Sequence, residues 1–324
     1  MVTLSDIQSA QARLRGIAVR TSLIEFKLCE GDPRRLFLKP ENQQPIGAFK
    51  VRGAYNKIAA LPEAERKRGV ITYSSGNHGQ GVAYAARALG TKAIIVMPGN
   101  APAIKRDATA ALGAEIVLVG PSSAERQAKA EELAAQYGYA IVPPYNDEQV
   151  IAGQGTMGLE ILEDLPDVEL ILAPIGGGGM LSGVATAVKL SKPSVKVIGV
   201  EPALAGDAQA SFRAGKIVEL PADEVSRTIA DGLRTQSIGQ RNFEHIRRYV
   251  DNIITVSEEE IRKAMEYLLA NPGIEVEPSG AVATAGFIFH AAQLPRADVA
   301  VAIVSGGNID PKLLEEIRGA VMKA

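Results

Sequence analysis

Cysteine is almost absent from this 324-residue chain: Cys29 stands alone. No intrachain disulfide can form, and no cysteine-rich zinc site can be built. Histidine is nearly as scarce. His245 and His290 have no motif around them and read as structural, and with His78 they form no ligand spacing. Charge of one sign is also missing, with 35 Lys and Arg against 37 Asp and Glu and a formal net charge of −2. That balance excludes a general attraction to nucleic acid or to an anionic membrane. No apolar stretch reaches transmembrane length. The first residues, MVTLSDIQSAQARLRG, read as an amphipathic helix without the apolar core of a signal peptide. A cytoplasmic protein is expected. There is no low-complexity tract and no short-period repeat.

What is present is an ordinary globular composition, 46% apolar and 22% charged, in a chain long enough to exclude water from a site. Strand-like runs alternate with alanine-rich helical patterns: 69–73, 93–97, 114–119 and 140–142 as strands, with helices over 81–89 and 123–137 among them. A second series follows, with a helix over 158–165 and strands over 168–173, 195–200 and 297–304. Ser257-Glu-Glu-Glu260 has capping-box spacing before a helix through Leu269. This alternation predicts an α/β protein of two domains, each an open, mostly parallel sheet flanked by helices, facing one cleft. The expected division is 1–68 with 147–324 as a large domain and 69–146 as a small one that gates the substrate. Leu61-Pro62 and Pro143-Pro144 are the expected crossings.

Three loops carry the chemistry. Lys50 lies in Pro45-Ile-Gly-Ala-Phe-Lys50-Val-Arg-Gly53. A lysine in isolation is usually a solvated charge, but the small or apolar Gly47, Ala48 and Phe49 suit close packing around a partly buried amine of lowered pKa. Ser74-Ser-Gly-Asn-His-Gly79 follows a strand, where its amides and side chains can hold a carboxylate at a helix N-terminus. Gly176-Gly-Gly-Gly179 lets the backbone curl so that several N–H groups converge on one anion, with a helix dipole behind them. No Gly-Lys-Ser/Thr follows it, and the dinucleotide spacing is missing. An imine-forming amine, a compact polar loop and bare amides for a phosphate are the parts of a pyridoxal-phosphate site. A fourth stretch, Glu201-Pro-Ala-Leu-Ala205-Gly-Asp207, offers hard oxygen ligands for Mg²⁺ or Ca²⁺, or is a solvated acidic loop.

With these strings in order, together with Lys39-Pro-Glu-Asn42, Val150-Ile-Ala-Gly-Gln-Gly-Thr156, Thr228-Ile-Ala-Asp-Gly232 and Ser305-Gly-Gly-Asn308, nearly the whole chain resembles the serine/threonine dehydratase and serine racemase family of fold-type II pyridoxal-phosphate enzymes. The resemblance implies that the cofactor lies in the cleft. Lys50 would hold it covalently and then act as base at Cα, and Phe49 would flank its ring. Asn77 would hydrogen-bond its phenolic oxygen. Gly176, Gly177, Gly178, Gly179 and the amide of Met180 would hold its phosphate. Ser305 would face the pyridine nitrogen, leaving it largely unprotonated and disfavouring transamination relative to loss of a β substituent. Ser74, Asn77 and His78 would form the α-carboxylate site, and Ser75 would stand across from Lys50 as a second proton carrier. Glu201, the Ala205 carbonyl and Asp207 match the divalent-cation spacing of the racemases and hydroxyaspartate dehydratases. Because the chain stops soon after the last cofactor loop, a C-terminal regulatory domain is not expected. The expected partners are a small amino acid and a second copy of the chain in a homodimer.

The leading expectation is β-elimination of water from a 3-hydroxy amino acid, leaning to 3-hydroxyaspartate. Arg126, in Ser122-Ser-Ala-Glu-Arg126, falls near the arginine of that branch, and Arg234 and Arg241 are further cationic candidates for a second carboxylate. Threonine or serine elimination and serine racemisation are close alternatives. β-Replacement on the same fold is disfavoured by the dehydratase-like serine loop. A non-catalytic amino-acid-binding protein is disfavoured by Lys50.

Overall fold

The computed structural model describes residues 1–27, 33–74, 76–101, 103–120, 122–271 and 273–321. Among them the strands are β1 (Ile24–Phe26), β2 (Arg35–Pro40), β3 (Val70–Tyr73), β4 (Ala93–Pro98), β5 (Glu115–Val119), β6 (Ala140–Ile141), β7 (Leu170–Pro174), β8 (Lys196–Pro202), β9 (Asn252–Val256) and β10 (Val299–Val304). They form two sheets, ordered β1-β2-β10-β7-β8-β9 and β5-β4-β3-β6. Every pairing is parallel except that of the edge strand β1 with β2. Parallel strands need crossover helices, and those helices cover the faces of both sheets, as the buried strands require.

The carboxyl ends of the strands place the loops. β3 runs into Ser74, β7 into the tetraglycine, β8 into Ala203–Ala205 and β10 into Ser305. These are the positions where open α/β sheets carry ligands.

Several elements depart from the sequence reading for identifiable reasons. The serine-loop helix begins at Asn77 rather than near Gly81 (Asn77–Ala88), and the helix before β7 begins at Glu148 rather than near Gly158 (Glu148–Asp164). Glycines lower helix propensity at both starts, but here they permit contact. A Cβ on Gly155 would stand 2.9 Å from the Gly183 carbonyl, and one on Gly183 would strike the Ile151 carbonyl, so Glu148–Asp164 and Gly179–Ser191 cross backbone to backbone. The helix Pro278–Phe289 carries no amphipathic period by which its sequence would announce it, because it is apolar nearly all round. It is the buried helix of the larger sheet's core.

Charge is buried too. Lys39 and Arg52 meet Glu41 and Glu160 out of solvent: Lys39 Nζ lies 2.7 Å from Glu160, and Arg52 bonds both carboxylates at 2.6–2.9 Å. The strand end β2, the Lys50 helix and Glu148–Asp164 are joined at this cluster. The Lys39-Pro-Glu-Asn42 string therefore serves the placement of Lys50's helix. No helix among the described residues is long and apolar enough to cross a membrane.

Candidate active site

Between the two sheets lies a cavity of about 500 Å³, lined by residues from both. Lys50 opens the helix Lys50–Ala59 at its wall. The preceding residue is tied to the end of β10, where Phe49 N donates to Ser305 O at 3.1 Å and Ala48 bridges Gly306. Lys50 Nζ donates to the Pro144 carbonyl at 2.9 Å and lies 5.1 Å from the Phe49 ring centroid. Desolvation lowers its pKa to about 8. A sizeable share of free amine at neutral pH makes it a usable nucleophile and base.

The tetraglycine lines the same cavity as Lys50. Gly178 has φ +91°, a left-handed conformation, and caps the helix Gly179–Ser191. A Cβ on Gly177 would run into the Tyr145 ring. The loop therefore needs glycine, and the first amides of the helix have no intrahelical acceptor. A cradle that a Cβ would fill, at a helix N-terminus and in one cavity with a neutralisable lysine, suits the phosphate and the aldehyde of pyridoxal phosphate in their chemistry.

Ser74, Asn77 and His78 line the same cavity, whereas Ser75 lies outside the described residues. His78 Nε2 donates to the Val142 carbonyl at 2.9 Å. Burial, and then the charge of Lys50, press its pKa down to about 3. His78 is thus neutral and brings no positive charge to a carboxylate. Ser305 lines the cavity and donates to the Ser279 carbonyl at 3.3 Å, and Met180 and Phe49 complete the wall. All the described residues expected at the cofactor and substrate are brought together.

The cationic candidates separate. Arg126 is half-buried in the cavity wall. Arg234 reaches the cavity too, but its guanidinium is spent on the Thr228 carbonyl, at 2.9 and 2.6 Å. Arg241 does not line the cavity and pairs with Glu148 at the surface.

Glu201 and Asp207 lie together at the end of β8, both buried, with Ala205 buried between them in sequence. Glu201 accepts from Ala208 N and Gln209 N, while Asp207 Oδ2 has no partner among the described residues. Burial and the neighbouring Asp207 push Glu201 well above the usual carboxylate range, and burial brings Asp207 to about 7. Two crowded carboxylates with an orphaned oxygen are a donor set that suits a hard cation. No group of three metal-ligating side chains occurs among the described residues, so backbone oxygen would have to complete the set.

Three features of the site were not read from the sequence. Tyr145 packs on Gly177. Glu277, buried at the cavity wall, accepts from Asn77 Nδ2 at 2.7 Å. Lys105 and Asp231 bridge the two sides of the cavity at 2.7 Å. The one available signal was Glu277-Pro-Ser-Gly280, a polar turn leading into an apolar helix.

The whole arrangement has close counterparts. A family model described as pyridoxal-phosphate dependent enzyme matches residues 17–306. The chain is 44% identical over 318 residues to the L-threonine ammonia-lyase of Thermotoga maritima, covering 98% of this chain and 78% of that one. It is 40% identical over 311 residues to the L-threo-3-hydroxyaspartate ammonia-lyase of Saccharomyces cerevisiae, covering 96% and 94%. The solved structure of maize serine racemase superposes with a TM-score of 0.93 at 36% identity, over 99% of this chain and 98% of that one.

Proposed function

The chain belongs to the pyridoxal-phosphate-dependent enzyme family, and on that premise we propose that it is a dehydratase removing water from 3-hydroxyaspartate. The imino acid so formed hydrolyses to oxaloacetate and ammonia. Bound pyridoxal phosphate supplies an electron sink that acidifies the substrate's Cα proton. The residues of the chain do the rest. Lys50 would hold the cofactor through Nζ and would take the substrate's Cα proton. The amides of Gly176 to Met180 hold the phosphate, Phe49 flanks the ring, and Asn77 and Ser305 meet its oxygen and nitrogen. Ser74, Asn77 and His78 receive the α-carboxylate, Asn77 and His78 through their backbone amides at the helix start, since the one N–H of the neutral His78 ring is given to the Val142 carbonyl. Ser75 is the second proton carrier. Glu201, the Ala205 carbonyl and Asp207 hold a divalent cation, Mg²⁺ or Ca²⁺.

The observation that carries the dicarboxylate reading is Arg126, half-buried in the cavity wall where a second substrate carboxylate needs a partner once desolvated. The yeast relative is named for that substrate. Threonine elimination is the second reading, favoured by the Thermotoga relative. The test compares kcat/KM for threonine, serine and the hydroxyaspartate stereoisomers. A charge-assisted pair at Arg126 is expected to make Arg126→Ala lose about 10- to 100-fold on hydroxyaspartate, with threonine little changed. A preference for threonine that survives the substitution overturns the dicarboxylate reading and leaves the dehydratase reading intact.

A further inference from the structure

Asn77 is held by two side chains whose own orientations are settled by chemistry. Asn308 Nδ2 donates to the Ile46 carbonyl at 2.9 Å and to Asn77 Oδ1 at 2.7 Å. A backbone carbonyl can only accept, so the Ile46 contact fixes which end of the Asn308 amide is nitrogen. Both hydrogens of that nitrogen are then committed. The atom of Asn77 facing Asn308 must accept, so it is Oδ1, and Nδ2 is turned the other way. There it donates to Glu277 Oε1 at 2.7 Å. An amide nitrogen has two hydrogens, and Glu277 takes one.

We propose that Asn308 and Glu277 are positioning residues that lock the Asn77 amide so that its one uncommitted N–H is presented to the cavity, making Asn77 an obligate donor to the cofactor. The inference rests on the assignment of the cavity to pyridoxal phosphate. The lock joins three separate segments. Asn77 opens the helix after β3, Asn308 follows β10, and Glu277 precedes the buried helix Pro278–Phe289. Glu277 is further fixed by its backbone, which donates to the Gly306 carbonyl at 3.1 Å. The side chain of Asn308 also fills the space beside Gly47, where a Cβ would stand 2.5 Å from its Oδ1. Burial, and then the negative charge of Asp231, raise the Glu277 carboxyl to about 8, with Lys105 opposing. The Oε1 acceptor role holds in either protonation state.

The test separates orientation from mere presence. Asn308→Asp replaces the donor by an acceptor, so Asn77 must turn and offer its oxygen to the cavity. Glu277→Gln keeps an acceptor and should leave Asn77 as it is. The readout is the equilibrium affinity of each apoprotein for pyridoxal phosphate, together with the absorption band of the bound cofactor. Asn308→Asp is expected to bind at least about 10-fold more weakly with a displaced band, and Glu277→Gln to stay within about 3-fold of wild type with an unmoved one. Equal affinity and an unmoved band in Asn308→Asp overturn the proposal, as does a Glu277→Gln variant as impaired as Asn308→Asp. Should Asn308→Asp not fold, Asn77→Asp presents the same missing donor, and an affinity within about 3-fold of wild type in that variant overturns the proposal equally. Wild-type protein that binds no pyridoxal phosphate would instead defeat the cofactor assignment.

Discussion

Lys50 shows how one side chain acquires its chemistry from its neighbours. Its amine is lowered to about 8 by desolvation, against an ordinary value near 10.5. In the apoprotein the unfolded chain therefore binds more protons than the folded one between those two values, and stability rises with pH across that window. Lys50→Ala removes both the rise and the reaction. Denaturant unfolding at pH 7.5 and 9.5 should show wild-type apoprotein gaining on the order of 2 kcal/mol relative to Lys50→Ala, while catalysis by the variant is abolished with its fold intact. Full activity in that variant would falsify the assignment of Lys50. The lysine, the serine loop and the tetraglycine were legible because their composition is odd in itself. Glu277 and Tyr145 were not, and Asn308 showed only as part of the Ser305-Gly-Gly-Asn308 string, because each matters through a partner far away in sequence. Arg234 and Arg241 look alike as residues, and only the Thr228 carbonyl and Glu148 show how each is spent.

At the level of elements, the strand-helix alternation and the serine-capped helix Glu258–Leu269 could be read directly, the latter down to its reciprocal capping box. The helices bearing functional loops were read short, since glycine argues against helix until the crossing partner is known. Gly183 makes the point testable. Its Cβ would meet the Ile151 carbonyl and the Gly155 amide, both backbone and unable to swing aside. Gly183→Ala should therefore destabilise by about 1–3 kcal/mol by overpacking, although alanine is the better helix former. A neutral or stabilising result in chemical denaturation would mean that the two helices separate freely. Because the tetraglycine begins one of these helices, cofactor affinity should fall along with stability.

Across the whole molecule, two sheets direct their strand ends toward one cavity, and the candidate cation site sits at the end of β8, outside the cavity lining. It is nonetheless connected. The backbone of Ile238 acts on the Asp207 carboxylate to favour its charged form, and the adjoining Gln236 and Ser237 line the cavity. A cation shared by Glu201, the Ala205 carbonyl and Asp207 would relieve the crowding of two buried carboxylates and staple the strand end to that wall. Such an ion binds the native state alone, so Mg²⁺ or Ca²⁺ at about 100 times its dissociation constant should add roughly 2.7 kcal/mol. For a chain of this size that is a rise of about 4 °C in melting temperature. Chelator should reverse it and lower kcat/KM, and Asp207→Asn should abolish the response to added ion. Unchanged melting on chelation, with no metal found by elemental analysis of the purified protein, would leave the crowded acids as a purely structural pair and remove the cation from the site.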